Sequence, residues 1–173
     1  FLIILTGIPI IGGYLFIQLT QELPSTDWLP AYMDPQKGIL LEPTRLFDQS
    51  GEMEIFSFQE PGTDRKFLSI DPNQPEFISP YVVQVVVNYY QPDFWSSPGY
   101  SKNFITSNTN RTIAERVVER LLLWNEPPGF QRDLRMRLLA AQVTKKYGRA
   151  QVLEWFLNST AYGHHSIGIE AAS

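Results

Sequence analysis

The sequence predicts a mainly α-helical domain behind an N-terminal transmembrane helix, with a small β-hairpin in the linker between them. Three observations carry that prediction. Residues 1–21 hold no charged side chain, and about 20 apolar residues suffice to cross a bilayer as a helix. Thr44 to Phe56 places the turn Asp48-Gln49-Ser50-Gly51 between two short β-prone runs. From residue 111 onward, apolar side chains recur at helical spacing between capping and breaking signals.

Composition narrows the chemistry. At 173 residues the chain has room for one domain of ordinary size, and 43% apolar against 18% charged residues excludes wholesale disorder. The absence of cysteine excludes disulfides, thiolate metal sites and a thiol nucleophile. The net charge of −4 is unevenly spread: residues 1–101 carry 4 basic and 12 acidic side chains, whereas residues 102–149 carry 10 basic and 4 acidic ones. A basic segment in an acidic chain points to an anionic ligand.

Taken in order, residues 1–21 read as the transmembrane anchor; Gly7, Pro9, Gly12 and Gly13 are tolerated in a membrane span. Residues 22–77 read as a juxtamembrane linker, punctuated by Pro24, Pro30, Pro35 and Pro43 and carrying the hairpin. Residues 78–173 read as the main helical domain, incomplete at its C-terminus. Within it, Ser79-Pro80 supplies a helix start ahead of a valine-rich run whose β-branched composition argues for a strand instead. Thr112 and Glu115 have capping-box spacing, and Ile113, Val117, Leu121 and Trp124 form one stripe. After Pro127-Pro128-Gly129, a second helix carries Leu134, Leu138, Ala141 and Gln142 on one face and ends near Gly148. A third, from Arg149 to about Asn158, buries Val152, Leu153, Phe156 and Leu157; Gly163 and Gly168 then mark a turn. The chain opens inside its apolar run and closes on Ile169-Glu170-Ala171-Ala172-Ser173, a helix start, so both ends read as cut.

Several stretches resemble the peptidoglycan glycosyltransferase domain of bifunctional class A penicillin-binding proteins, family 51 of the glycosyltransferases. Val152-Leu153-Glu154-Trp155-Phe156-Leu157-Asn158 with Tyr162-Gly163, and Gly168-Ile169-Glu170-Ala171-Ala172, are similar to its two late motifs. Thr112-Ile113 sits where the family has Gly-Gly-Ser-Thr-Ile-Thr-Gln-Gln, Arg132-Asp133-Leu134-Arg135-Met136 where it has Arg-Lys-x-x-Glu, and Phe94 to Gly99 resembles its Phe-Tyr-x-His-Pro-Gly. The resemblance implies a lysozyme-like, mainly helical domain, here C-terminally truncated, and a buried helix for the valine run. It implies polymerisation of lipid II, with attack of a sugar hydroxyl and departure of undecaprenyl pyrophosphate. The implied place is the outer face of the bacterial cytoplasmic membrane, and the implied partners are lipid II, the growing glycan strand, the membrane and other cell-wall synthesis proteins, with no nucleic acid.

That chemistry needs a general base and fixed positive charge for the leaving pyrophosphate. The family's base position falls on Tyr90, whose phenol type stays protonated at neutral pH, and the neighbouring acidic position falls on Gln91. The second acidic position is Met136, and the histidine position is Ser97. Asp93 is the nearest carboxylate and the candidate for a displaced base, or else a turn residue after Pro92. On the pyrophosphate side Arg132 matches the family arginine, with Arg135 one turn on; Arg111, Thr112, Arg116 and Arg120 stand in and around the hydroxyl-and-amide motif, and Glu119 reverses the charge of the family lysine. Each of these arginines also fits a solvated face of an amphipathic helix. His164-His165 lacks a suitably spaced third ligand, so no metal site is expected and no cofactor; a divalent cation enters by the resemblance alone. Two functions follow: an active glycosyltransferase, or a degenerate relative that binds lipid pyrophosphate or serves as a scaffold.

Overall fold

The computed structural model describes residues 12–13, 17, 19–21, 23–39, 44–58, 66–101, 111–163 and 166–170. The transmembrane anchor expected at residues 1–21 lies mostly outside them, as do His164, His165 and residues 171–173. Among the described residues no helix is long and apolar enough to cross a membrane.

A short helix, α1 (Trp28–Tyr32), opens the described fold, and Leu29 and Met33 from this segment enter the hydrophobic core. It is held against the long helix of the domain: the Tyr147 hydroxyl donates to the Thr26 carbonyl (3.0 Å) and Lys146 pairs with Asp27. The expected hairpin is present as β1 (Thr44–Phe47) and β2 (Glu54–Phe58), antiparallel, with Leu46 opposite Phe56. Asp48 closes its turn by accepting from the Ser50 hydroxyl (2.7 Å) and the Met53 amide (3.2 Å), and Gly51 takes the positive φ of 75° that the turn requires.

Pro80 starts α2 (Pro80–Tyr90) at its first turn, so the start signal prevails over the β propensity of the valines. The helix is not buried, contrary to expectation: only Val87 is, while Tyr81, Val85 and Tyr89 recur every fourth residue as an exposed stripe. The helix lies at the surface and packs one narrow face inward.

The centre is the packing of α3 (Ile113–Leu121) along α4 (Phe130–Ser159). Both bonds of the Thr112–Glu115 capping box form. Ile113, Val117 and Val118 are fully buried, each contributing about 1.5–3 kcal/mol relative to exposure. Trp124 does not continue their stripe. The helix ends at Leu121, the chain tightens as the Leu123 amide reaches the Val118 carbonyl (3.1 Å), and the indole points to solvent at 74% exposure.

The second and third expected helices join as α4, 30 residues with a break in direction at Gly148 (φ 79°, ψ 162°), a conformation essentially reserved for glycine. The apolar face of its first half is not Leu134, Leu138, Ala141 and Gln142. Met136, Leu139, Ala140, Val143 and Thr144 are buried, because this is the stripe turned toward α3. Its second half buries Val152, Leu153, Phe156 and Leu157 as expected. Asn158 and Glu154 bind the segment before α2: Asn158 exchanges hydrogen bonds with the Leu68 amide (2.9 Å) and carbonyl (2.8 Å), and Glu154 accepts from the Ser69 hydroxyl (2.8 Å) and Ile70 amide (2.9 Å). A final hairpin, β3 (Ala161–Gly163) and β4 (Ser166–Ile167), follows; beyond it Ile169 and Glu170 form a bend rather than a helical turn. Gly168 passes so close to Asn158 that an added Cβ would lie 2.9 Å from its carbonyl oxygen.

Candidate functional site

Helix α3 positions most of the candidate residues. Its charged side chains fall on two adjacent stripes, Glu115 and Glu119 on one and Arg116 and Arg120 on the other, because residues four apart share a face.

The acidic stripe is fully engaged. Glu115 is buried; its carboxylate accepts from the Thr112 amide (2.8 Å) and the Ser101 amide (3.0 Å), and Arg137 approaches to 3.8 Å. Glu119 bridges two candidate arginines, pairing with Arg111 and with Arg132 at 3.3 Å. Arg111 also reaches Asp133 (3.4 Å), and Arg132 donates to the Leu123 carbonyl (3.2 Å). The residue at the family's lysine position has thus become the counter-ion of the arginine that matches the family motif. Arg135 is likewise paired, with Glu126 at 3.1 Å.

The basic stripe faces aromatic rings. The Arg116 guanidinium lies over the Tyr90 ring, 5.1 Å from its centroid, and its Nε donates to the Arg111 carbonyl (3.3 Å). Arg120 donates to the Ser159 carbonyl (2.7 Å). Among the described residues neither forms an ion pair. Burial lowers the Arg120 pKa from its usual range, Arg116 lowers it further, and the phenols of Tyr162 and Tyr90 oppose the shift. Burial, reinforced by Tyr90 and opposed by Arg120, pushes the Tyr162 hydroxyl up to about 12. At neutral pH Tyr162 is therefore protonated and not a base, and its hydroxyl donates to the Leu157 carbonyl (3.4 Å). Tyr90 is fixed by edge-on contacts with Phe156 (5.1 Å) and Tyr89 (4.9 Å).

The remaining candidates separate from this cluster. Asp93 is exposed; its carbonyl closes a turn by accepting from the Ser96 and Ser97 amides (both 3.0 Å), and its carboxylate has no partner among the described residues. The turn reading holds for its backbone, and among the described residues its carboxylate forms no ion pair with the arginines. Gln91 is buried, its Oε1 accepting from the Ile113 amide (3.0 Å) at the start of α3. Met136 is in the core at 3% exposure. Ser97 is buried, its carbonyl held by Arg149 Nε (2.9 Å) and Nη2 (2.6 Å). The Thr112 hydroxyl, offered as a substrate contact, is occupied by the cap and by the Gly99 carbonyl (2.7 Å). Among the described residues no group of three or more His, Asp or Glu side chains could hold a metal ion.

Tyr162 was not among the sequence-derived candidates, because its approach to α3 depends on the final hairpin. The bridging role of Glu119 was missed as well, although the paired spacing Glu115-Arg116 and Glu119-Arg120 carries the signal of two opposed stripes. What the cluster offers chemically is two guanidinium forks beside the Tyr90 ring. Such a set binds anionic oxygens, and it contains no carboxylate or imidazole to take a proton.

Comparison with known proteins agrees with this architecture. The family model described as Transglycosylase matches residues 69–173. Penicillin-binding protein 1A of Rickettsia felis is 24% identical over 174 residues, covering 94% of this chain and 21% of that protein. Penicillin-binding protein 1A of Rickettsia bellii is 24% identical over 183 residues, covering 99% of this chain and 22% of that protein. The chain thus spans about a fifth of the length of these curated relatives. With the family model matching over more than half its length, the chain belongs to the transglycosylase family, as the type of domain found in class A penicillin-binding proteins.

Proposed function

We propose that this chain is the transglycosylase module of a peptidoglycan glycosyltransferase, anchored in the bacterial cytoplasmic membrane through residues 1–21 and engaging lipid II and the growing glycan strand on the outer face. Family membership supports the reaction class, and the alignment with penicillin-binding protein 1A along nearly the whole chain supports the setting. The observation that carries the reading to this chain's own residues is the Arg116–Arg120 stripe. It is a pair of cations with no carboxylate partner among the described residues, beside the residue at the family's base position. Fixed guanidinium groups of this kind stabilise a departing pyrophosphate through charge-assisted hydrogen bonds. Polymerisation of lipid II by the full-length protein tests it, with a working relative as control. Glycan product above background supports the reading; none, with the control active, removes it.

A second reading, binding without turnover, is favoured by one specific observation. The family's acidic positions are filled by a stacked Tyr90, a helix-capping Gln91 and a core Met136, each with a packing role of its own. On this reading lipid pyrophosphate is retained and no product forms. Turnover by the native protein would exclude it.

A further inference from the structure

We infer that the anion site of this chain has moved off the motif arginine Arg132 and onto the Arg116–Arg120 stripe, beside Tyr90, and that its ligand chemistry is a diphosphate. The ligand class rests on the functional reading above; the location rests on geometry alone.

Two groups of arginines surround α3, and their charge balance differs. Around Glu119 two guanidinium groups, Arg111 and Arg132, meet two carboxylates, Glu119 and Asp133, so that group is neutral before any ligand arrives. An incoming anion would have to displace Glu119, a carboxylate tethered to the same helix and therefore present at high effective concentration. Arg116 and Arg120 lie one turn apart with no ion pair among the described residues, and the Arg116 charge disfavours the charged form of Arg120. Like charges at this spacing destabilise a helix, so an anion placed between them removes repulsion as well as adding attraction. One donor of Arg120 is used by the Ser159 carbonyl and one of Arg116 by the Arg111 carbonyl, which orients both planar forks and leaves further N–H groups for a ligand. The Tyr162 hydroxyl is already given to the Leu157 carbonyl (3.4 Å), so the donors for a ligand come from the arginines, and the Tyr90 ring beneath Arg116 forms one wall. Two adjacent cations suit a doubly charged group with several oxygens better than a single carboxylate.

The test is calorimetric titration of the full chain with inorganic pyrophosphate and, separately, with a short-chain polyprenyl pyrophosphate, each variant first checked for a native thermal transition. The native chain should bind. Arg120→Gln and Arg116→Gln should each weaken binding by about tenfold, the loss expected for one charged hydrogen-bonding partner. Arg132→Gln should weaken it by less than twofold; Arg132→Lys replaces this variant if it does not fold. Tighter binding of the prenylated probe identifies a lipid source, and equal binding a free diphosphate; both support the site. Binding that survives Arg116→Gln and Arg120→Gln, binding that falls as far with Arg132→Gln, or no binding of either probe would overturn it. The functional reading fails separately: pyrophosphate held by Arg116 and Arg120 without lipid II polymerisation removes turnover and leaves the site. Polymerisation indifferent to Arg120→Gln removes the site and leaves turnover.

Discussion

The two stripes of α3 use the same nine residues of helix in opposite ways. On the acidic stripe every carboxylate is consumed by structure: Glu115 caps the helix and holds Ser101, and Glu119 joins Arg111 to Arg132. On the basic stripe the cations touch backbone carbonyls and an aromatic face and form no ion pair among the described residues. The difference teaches that a count of arginines overstates binding capacity. What matters is which of them the fold has already neutralised.

The contrast can be broken from either side. Glu115→Ala should produce the largest effect, a loss of about 2–4 kcal/mol, because it removes half of the capping box and takes the acceptor from the Thr112 and Ser101 amides. Urea denaturation measures this, and a loss under about 1 kcal/mol would mean that Glu115 is not the keystone described. Glu119→Gln should cost less, about 1 kcal/mol, since its pairs are partly exposed and Arg111 keeps Asp133. Arg116→Gln should change stability by no more than about 0.5 kcal/mol, as the lost cation–π contact is offset by relief of repulsion with Arg120. A larger loss would place Arg116 with the structural stripe. The smallest effect is confined to alkaline pH. The folded-state value of Tyr162 lies above that of a free phenol, so its contribution to stability is complete below about pH 10 and is lost as pH rises through about 12. Phenolate absorbance should show one late-ionising tyrosine, and Tyr162→Phe should abolish that step.

Much of the scaffold was legible because its signals are local. Thr112 and Glu115 announce a cap at a fixed spacing, Asp48 and Gly51 a turn, and Pro80 a helix start that prevailed over a run of valines. The errors arose where a tertiary contact chose between local options. The first half of α4 carries two apolar stripes, and the approach of α3 selected the one with Met136 and Leu139 over the one with Leu134 and Leu138. Trp124 kept the helical phase on paper, but the helix had already ended at Leu121. The motif resemblance located Arg132 and Tyr90 without revealing that one is held by Glu119 and the other packed edge-on against Phe156, since both partners come from another helix.

Gly148 gives these arrangements a common pivot. The half of α4 before it supplies Arg132 to the acidic stripe; the half after it supplies the Ser159 carbonyl to Arg120. Tyr147 and Arg149, its immediate neighbours, grip Thr26 on one side and Ser97 on the other. An added methyl group at 148 would meet no atom within 4 Å, so any larger residue there is resisted by the torsion angles alone. The placing of Arg132 on one stripe and of the Ser159 carbonyl on the other thus passes through one residue that has no side chain, and a change at this remote joint would retune both stripes at once.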